Sequence, residues 1–152
     1  MNPKKLAALA ALALLLPSLA GAAEYATTKD AELLVHRAVA FYKKSGRAKA
    51  LAAFNEPSGP FCYRDLYVYA YTLDGTCVAH PAQPNRVGKN LINDRDVDGK
   101  EFIRERMAIA RKEGKGWQEY KFTNPATHRV EKKVAYFEVV DGVVLVAGAY
   151  RR

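Results

Sequence analysis

Leu66-Tyr67-Val68-Tyr69-Ala70-Tyr71-Thr72-Leu73-Asp74-Gly75-Thr76-Cys77-Val78-Ala79-His80-Pro81 reads as a strand, a tight turn and a returning strand. Side chains alternate faces with period two, so Tyr67, Tyr69 and Tyr71 share one side and Leu66, Val68 and Ala70 the other. Asp74-Gly75 predicts a two-residue hairpin turn, whose central positions favour positive φ, and Pro81 marks where ladder pairing should stop. Three phenols on one face need partners. They find them either in water and backbone around a half-buried face, or in something polar that the face holds.

On the N-terminal side, Leu34, Val35, Ala38, Val39, Phe41, Tyr42, Leu51 and Phe54 recur at helical spacing, with Lys29, Glu32, Arg37, Lys43 and Lys44 between them. This predicts an amphipathic helix from Thr28 to about Phe54. Thr27 or Thr28 can cap its first turn, where Asp30 and Glu32 suit the positive end of the helix dipole. Ser45-Gly46 should break it, leaving a short helix from about Arg47 to Phe54, and Glu56-Pro57-Ser58-Gly59-Pro60 ends helical structure. On the C-terminal side, Gln83 to Asn90 is loop by composition. A second amphipathic helix is expected from Gly99 to Glu113, with Phe102, Ile103, Met107 and Ala110 as its stripe and Gly114 and Gly116 at its end. Three strands follow, Trp117 to Phe122, Val130 to Val140 and Val143 to Tyr150, with Asp141-Gly142 as a second hairpin signal. Long helix, two strands, helix, three strands is an α+β order in one domain.

Residues 1–23 have the layout of a secretory leader: Lys4 and Lys5, an apolar run from Leu6 to Leu16, then Pro17 and small residues through Ala22. The run is shorter than the roughly 20 residues a spanning helix needs. Cleavage after Ala22 or Ala23 leaves a domain over 24–152, periplasmic or secreted, with no stable membrane insertion. The formal charge falls from +8 to +6 when Lys4 and Lys5 leave, since no acid precedes Glu24. The basic residues are scattered among acids, which with export argues against nucleic acid and for anionic small molecules or an acidic partner surface. Cys62 and Cys77 lie in a compartment that permits a disulfide. With Asp74-Gly75 as the loop, Cys77 falls opposite Thr72 and Cys62 well off that rung, so paired and free thiols both stay open.

Asp94-Arg95-Asp96-Val97-Asp98-Gly99 with Glu105 has the spacing of a calcium loop, but the preceding segment is glycine-broken and Glu101 stands where that loop buries an aliphatic. The same residues read more simply as a capping box of Asp98 and Glu101, so no metal is expected. His36, His80 and His128 have no metal-ligand spacing and no nucleophile beside them, so neither catalysis nor a cofactor is expected. What does assemble is a polar and aromatic set on the strands: Tyr69 and Tyr71 on the first, His80 on the second, Trp117 and Tyr120 on the third, Lys133 and Tyr136 on the fourth. Hydroxyls, an imidazole and an ammonium are donors for a carboxylate, and an indole limits ligand size. Parity puts Trp117 and Tyr120 on opposite faces, and Lys133 and Tyr136 likewise, so a bulge or loop is required for all of them to point inward.

Taken in order, these pieces resemble the single Cache domain, an extracytoplasmic sensory module. Gly59-Pro60-Phe61, Leu66-Tyr67-Val68-Tyr69, Leu73-Asp74-Gly75-Thr76, Ala79-His80-Pro81, Val87-Gly88-Lys89-Asn90-Leu91, Asp98-Gly99-Lys100, Gly116 to Lys121, Asn124-Pro125, Lys133 with Tyr136, and Gly148-Ala149-Tyr150 carry the likeness. The resemblance implies a PAS-like five-stranded antiparallel sheet with a long N-terminal helix and one helix between strands 2 and 3. It also implies a small organic acid, such as acetate, propionate, lactate or pyruvate, held by Tyr69, His80, Trp117, Tyr120, Lys133 and Tyr136. Because the sequence ends at Arg152, just after the last strand, a stand-alone domain without an output module is expected. The rival expectation is an interaction protein that docks on a membrane-bound sensor or transporter with no ligand.

Overall fold

The computed structural model describes residues 25–151, and the expected leader over residues 1–23 lies outside them. Helices α1 (Thr28–Ser45) and α2 (Arg47–Asn55) lead into a ribbon of β1 (Cys62–Tyr63) and β2 (Leu66–Tyr67). Strands β3 (Tyr69–Thr72) and β4 (Cys77–Ala79), a 3-10 turn at Pro84–Arg86, helix α3 (Phe102–Glu113) and strands β5 (Lys115–Thr123), β6 (Val130–Val140) and β7 (Val143–Tyr150) follow. The main sheet is antiparallel in the order β4-β3-β7-β6-β5. This is the expected α+β architecture, with a long N-terminal helix on a five-stranded sheet and α3 between its second and third strands.

Local chemistry sets the boundaries. The Thr27 hydroxyl accepts the Asp30 N–H at 3.1 Å while the Asp30 carboxylate accepts the Thr27 N–H at 2.8 Å, a reciprocal cap on α1. These bonds hold the Asp30 carboxyl below its usual pKa. Gly46, at φ 80°, ends α1 and opens α2 at the expected break.

Three local expectations are corrected. The first strand does not run unbroken. Val68 donates its N–H to the Phe61 carbonyl at 3.0 Å, which splits the ribbon strand β2 from the sheet strand β3. Asp74-Gly75 is not a two-residue turn: Gly75 N–H bonds the Thr72 carbonyl and Thr72 N–H bonds the Thr76 carbonyl, both at 2.9 Å. The loop is therefore Leu73-Asp74-Gly75, with Gly75 at φ 92°. The Asp74 carboxylate favours this geometry, because it accepts from the Thr72 hydroxyl, from Thr76 N–H at 3.2 Å and from the Thr76 hydroxyl at 3.0 Å. Cys77 then faces Tyr71 rather than Thr72, and both cysteines are unpaired thiols. By contrast Asp141 and Gly142, at φ 46° and 72°, make the expected two-residue turn between paired Val140 and Val143.

The third correction is at α3, which begins at Phe102 without a side-chain cap. Asp96 has other employment: its carboxylate accepts the N–H of Asp98 at 2.9 Å and those of Lys100 and Lys121 at 3.0 Å, tying the loop to β5. Glu101 pairs with Arg95 at 2.5 Å and Arg104 at 3.2 Å. Asp98 pairs with Lys121 of β5 at 2.9 Å, so the carboxylates of both Asp98 and Glu101, the partners of the expected capping box, are held by basic side chains instead.

The sheet separates two cores. Leu34, Val35, Ala38 and Tyr42 of α1, with Phe54 of α2, pack on Leu66, Val68, Ala70, Leu145 and Ala147. On the opposite face Phe102, Ile103, Met107 and Ala110 of α3 meet Tyr67, Tyr69, Tyr71, Phe137 and Val146. The alternation read from residues 66–71 is realised, tyrosines toward α3 and aliphatics toward α1.

Candidate functional site

The α3 face is where polar groups are buried. Lys133 of β6 stands in register with Tyr120 of β5 and Tyr150 of β7, and only 1% of its surface is exposed. Its Nζ donates to the Tyr67 hydroxyl at 3.1 Å and lies 4.4, 4.7 and 4.8 Å from the ring centres of Tyr67, Tyr69 and Tyr150. Burial and then the Arg106 charge push its pKa well down, and Asp65 offsets only part of this. Gly148 makes the course of this side chain feasible. A Cβ there would stand 2.7 Å from Lys133 Cε.

Arg106 of α3 is fully buried and enters the same enclosure from the other side. Its Nε donates to Gln118 Oε1 at 3.1 Å, and Gln118 in turn donates to the Phe102 carbonyl at 2.8 Å, which fixes the guanidinium plane. Both terminal nitrogens are buried without a hydrogen-bond partner. The guanidinium carbon lies 5.2 Å from the Tyr120 ring centre and 5.6 Å from that of Tyr69. Tyr69 and Tyr120 are joined hydroxyl to hydroxyl at 2.7 Å. Two basic side chains therefore share the Tyr69 ring, and ring faces supply only part of the solvation that water would give them.

His80 closes the enclosure at the end of the returning strand, 5.4 Å ring to ring from both Tyr67 and Tyr69. Burial, followed by the nearby Lys133 and Arg86 charges, lowers its pKa to about 3, so it is neutral at physiological pH. Nδ1 accepts the Gln83 N–H at 3.1 Å, which assigns the proton to Nε2.

Of the six candidate residues, Tyr69, His80, Tyr120 and Lys133 come together, whereas Trp117 and Tyr136 lie apart from them. β5 and β6 pair without a register shift from Lys115 to Thr123, so no bulge re-aims a side chain. Period-two parity puts Trp117 and Tyr136 together on the α1 face, ring centres 4.9 Å apart. Trp117 is 44% exposed, and Tyr136 donates to Glu138 at 2.6 Å, the carboxylate that also meets His36 at 3.0 Å.

Residues 25–151 match the family described as Single Cache domain 2. The chain belongs to that family. Its fold is shared by a methyl-accepting chemotaxis protein from Vibrio parahaemolyticus, with a TM-score of 0.68 at 22% identity over 80% of this chain and 86% of that one. A Cache chemosensory domain described for carboxylic acid recognition superposes with a TM-score of 0.65 at 20% identity, covering 82% of this chain and 88% of that one. The sensor histidine kinase MctS of Rhizobium johnstonii is 35% identical over 78 residues, 51% of this chain. The match covers only 17% of that kinase.

In this Cache domain the sequence reading missed Arg106, Tyr67, Tyr150 and Phe122 as members of the enclosure. Arg106 had a signal. It sits among Phe102, Ile103, Met107 and Ala110 at helical spacing, a charge inside an apolar stripe. Tyr67 shares the parity of Tyr69, and Tyr150 and Phe122 follow once the register of β5, β6 and β7 is known. Among the described residues no helix is long and apolar enough to cross a membrane.

Proposed function

We propose that residues 24–152 form an exported sensory domain that holds a short-chain organic acid between Lys133 and Arg106. The observation that carries this reading is the pair of buried cations in one tyrosine-lined enclosure. The Lys133 ammonium donates to a neutral phenol, and the terminal nitrogens of Arg106 donate to nothing. Burying a charge without a compensating partner is costly, and an anion entering the enclosure removes that cost at both groups. Tyr69, Tyr120 and the Nε2–H of His80 add neutral donors around it. The carboxylic acid recognition described for a Cache chemosensory domain of similar fold supports the choice of ligand class.

The magnitudes are compatible. A six-heavy-atom acid is limited to about 9 kcal/mol by the best ligand efficiencies, and micromolar affinity needs about 8 kcal/mol. Charge-assisted hydrogen bonds contribute roughly 1.5 to 3 kcal/mol each, so two cations and one or two hydroxyls come close to that total. A thermal-shift panel of acetate, propionate, lactate and pyruvate tests the proposal. At least one acid raises the melting temperature, and the rise disappears in Arg106→Leu. No rise with any of them at millimolar concentration contradicts it.

A further inference from the structure

Three clefts touch the wall of the enclosure, and their linings differ in chemistry. One of about 370 Å³ reaches Tyr120 and is lined by Asp96, Asp98 and Glu119 together with Lys100, Lys121 and Lys132. Another of about 180 Å³ reaches Phe102 and Phe122 past Asp94, Asp96, Arg86 and Arg95. The first is walled almost wholly by charged side chains of both signs, and the second mixes such charges with apolar residues in the smallest of the three volumes, so neither offers a long apolar wall. The third, about 300 Å³, is bounded mainly by Pro57, Leu66, Pro81, Ala82, Pro125 and Ala126, with Arg64 and Asp65 among its polar residues. Tyr67 lines this cleft, and the same side chain's hydroxyl receives the Lys133 hydrogen bond. Tyr67 thus touches both the apolar cleft and the ammonium.

We propose that this cleft is the tail site of the ligand: the acid carries an apolar tail, its carboxylate replaces the Tyr67 hydroxyl on Lys133, and the tail runs past Tyr67 between the Pro81-Ala82 and Pro125-Ala126 turns. The inference rests on the anion reading of the Lys133 enclosure and narrows it from any small acid to one with a hydrocarbon tail. The exchange is favourable at Lys133, since a charge-assisted bond to a carboxylate replaces one to a neutral phenol. Tyr67 keeps its apolar body against the cleft while its hydroxyl turns out. The headgroup then supplies recognition common to all acids, and the cleft supplies discrimination by length.

Titration calorimetry of the exported domain with acetate, butyrate and hexanoate decides this. Hydrocarbon burial predicts about fourfold tighter binding for each added methylene that enters the cleft. Ala82→Trp and Ala126→Phe fill the cleft from exposed positions, so neither threatens the fold, and in each the hexanoate-to-acetate affinity ratio falls toward one. If the unmodified domain already binds acetate at least as tightly as hexanoate, the tail site is wrong and the Lys133 reading stands. If no member of the series binds, the anion reading falls and the tail site with it.

Discussion

β6 and β7 send Tyr136, Val140, Leu145 and Ala147 toward α1, and Lys133, Ala135, Phe137, Val144 and Val146 toward α3. The two sides are built from the same strands by the same alternation, yet their chemistry diverges. The α1 side is an apolar core, in which Phe54 packs edge-on against Phe61 at 4.8 Å. The α3 side buries Lys133, Arg106 and His80 among tyrosines. Apolar burial stabilises the folded chain, whereas a buried cation without an anionic partner destabilises it until one arrives. The first face therefore carries stability, and the second gives up some of it, which the proposed anion site would recover on binding.

That division can be broken at four places, in order of expected size. Phe54→Ala empties the α1 core and should cost about 3–5 kcal/mol of unfolding free energy in chemical denaturation. Carboxylate affinity of the folded fraction should not change, and a parallel loss of affinity would dissolve the distinction between the faces. Lys133→Met should act the opposite way, weakening carboxylate binding about a hundredfold. The same change should raise stability by about 1 kcal/mol, because a buried amine that Asp65 compensates only in part is replaced by an apolar side chain of similar shape. Calorimetry and denaturation on one preparation check both halves.

The third test uses pH. The folded-state pKa of His80 is about 3 against an ordinary value of 6.5, so the folded state binds this proton less readily than the unfolded chain. Its contribution to stability is complete above pH 6.5 and is lost as pH falls from there toward about 3. His80→Gln should remove about 1.4 kcal/mol per pH unit of slope within that window. Equal slopes in the two proteins would mean that His80 is not buried as a neutral ring. The smallest effect belongs to Trp117→Ala. The indole is half-exposed on the α1 side, so stability should change by no more than about 0.5 kcal/mol and ligand affinity not at all.

Much of the fold was legible because its signals were local. The helical stripe of α1, the Ser45-Gly46 break, the strands β6 and β7 and the Asp141-Gly142 turn all appear where spacing puts them. The failures were local as well. Asp74 folds its carboxylate onto Thr72 and Thr76 and lengthens a turn that the dipeptide alone assigns differently. Asp98 and Glu101 are engaged by Lys121 and by two arginines, so α3 starts later than the capping pattern suggests.

The candidate site was half legible for a different reason. Period two predicted that Trp117 and Tyr136 could not join Tyr120 and Lys133 without an irregularity, and the regular β5–β6 ladder keeps them apart. Parity was the better guide than residue type. Arg106 lies on another element altogether, and only packing shows that a helix stripe and a sheet face meet around it. Its place inside the apolar stripe was the clue available in the sequence.

The most direct test of the anion site is a crystal structure of the domain with a bound short carboxylate. The account predicts a carboxylate oxygen within hydrogen-bond distance of Lys133 Nζ or the Arg106 terminal nitrogens, inside the ring formed by Tyr67, Tyr69, Tyr120 and Tyr150. An acid bound elsewhere on the molecule, with Lys133 still donating to the Tyr67 hydroxyl and Arg106 unchanged, would contradict it.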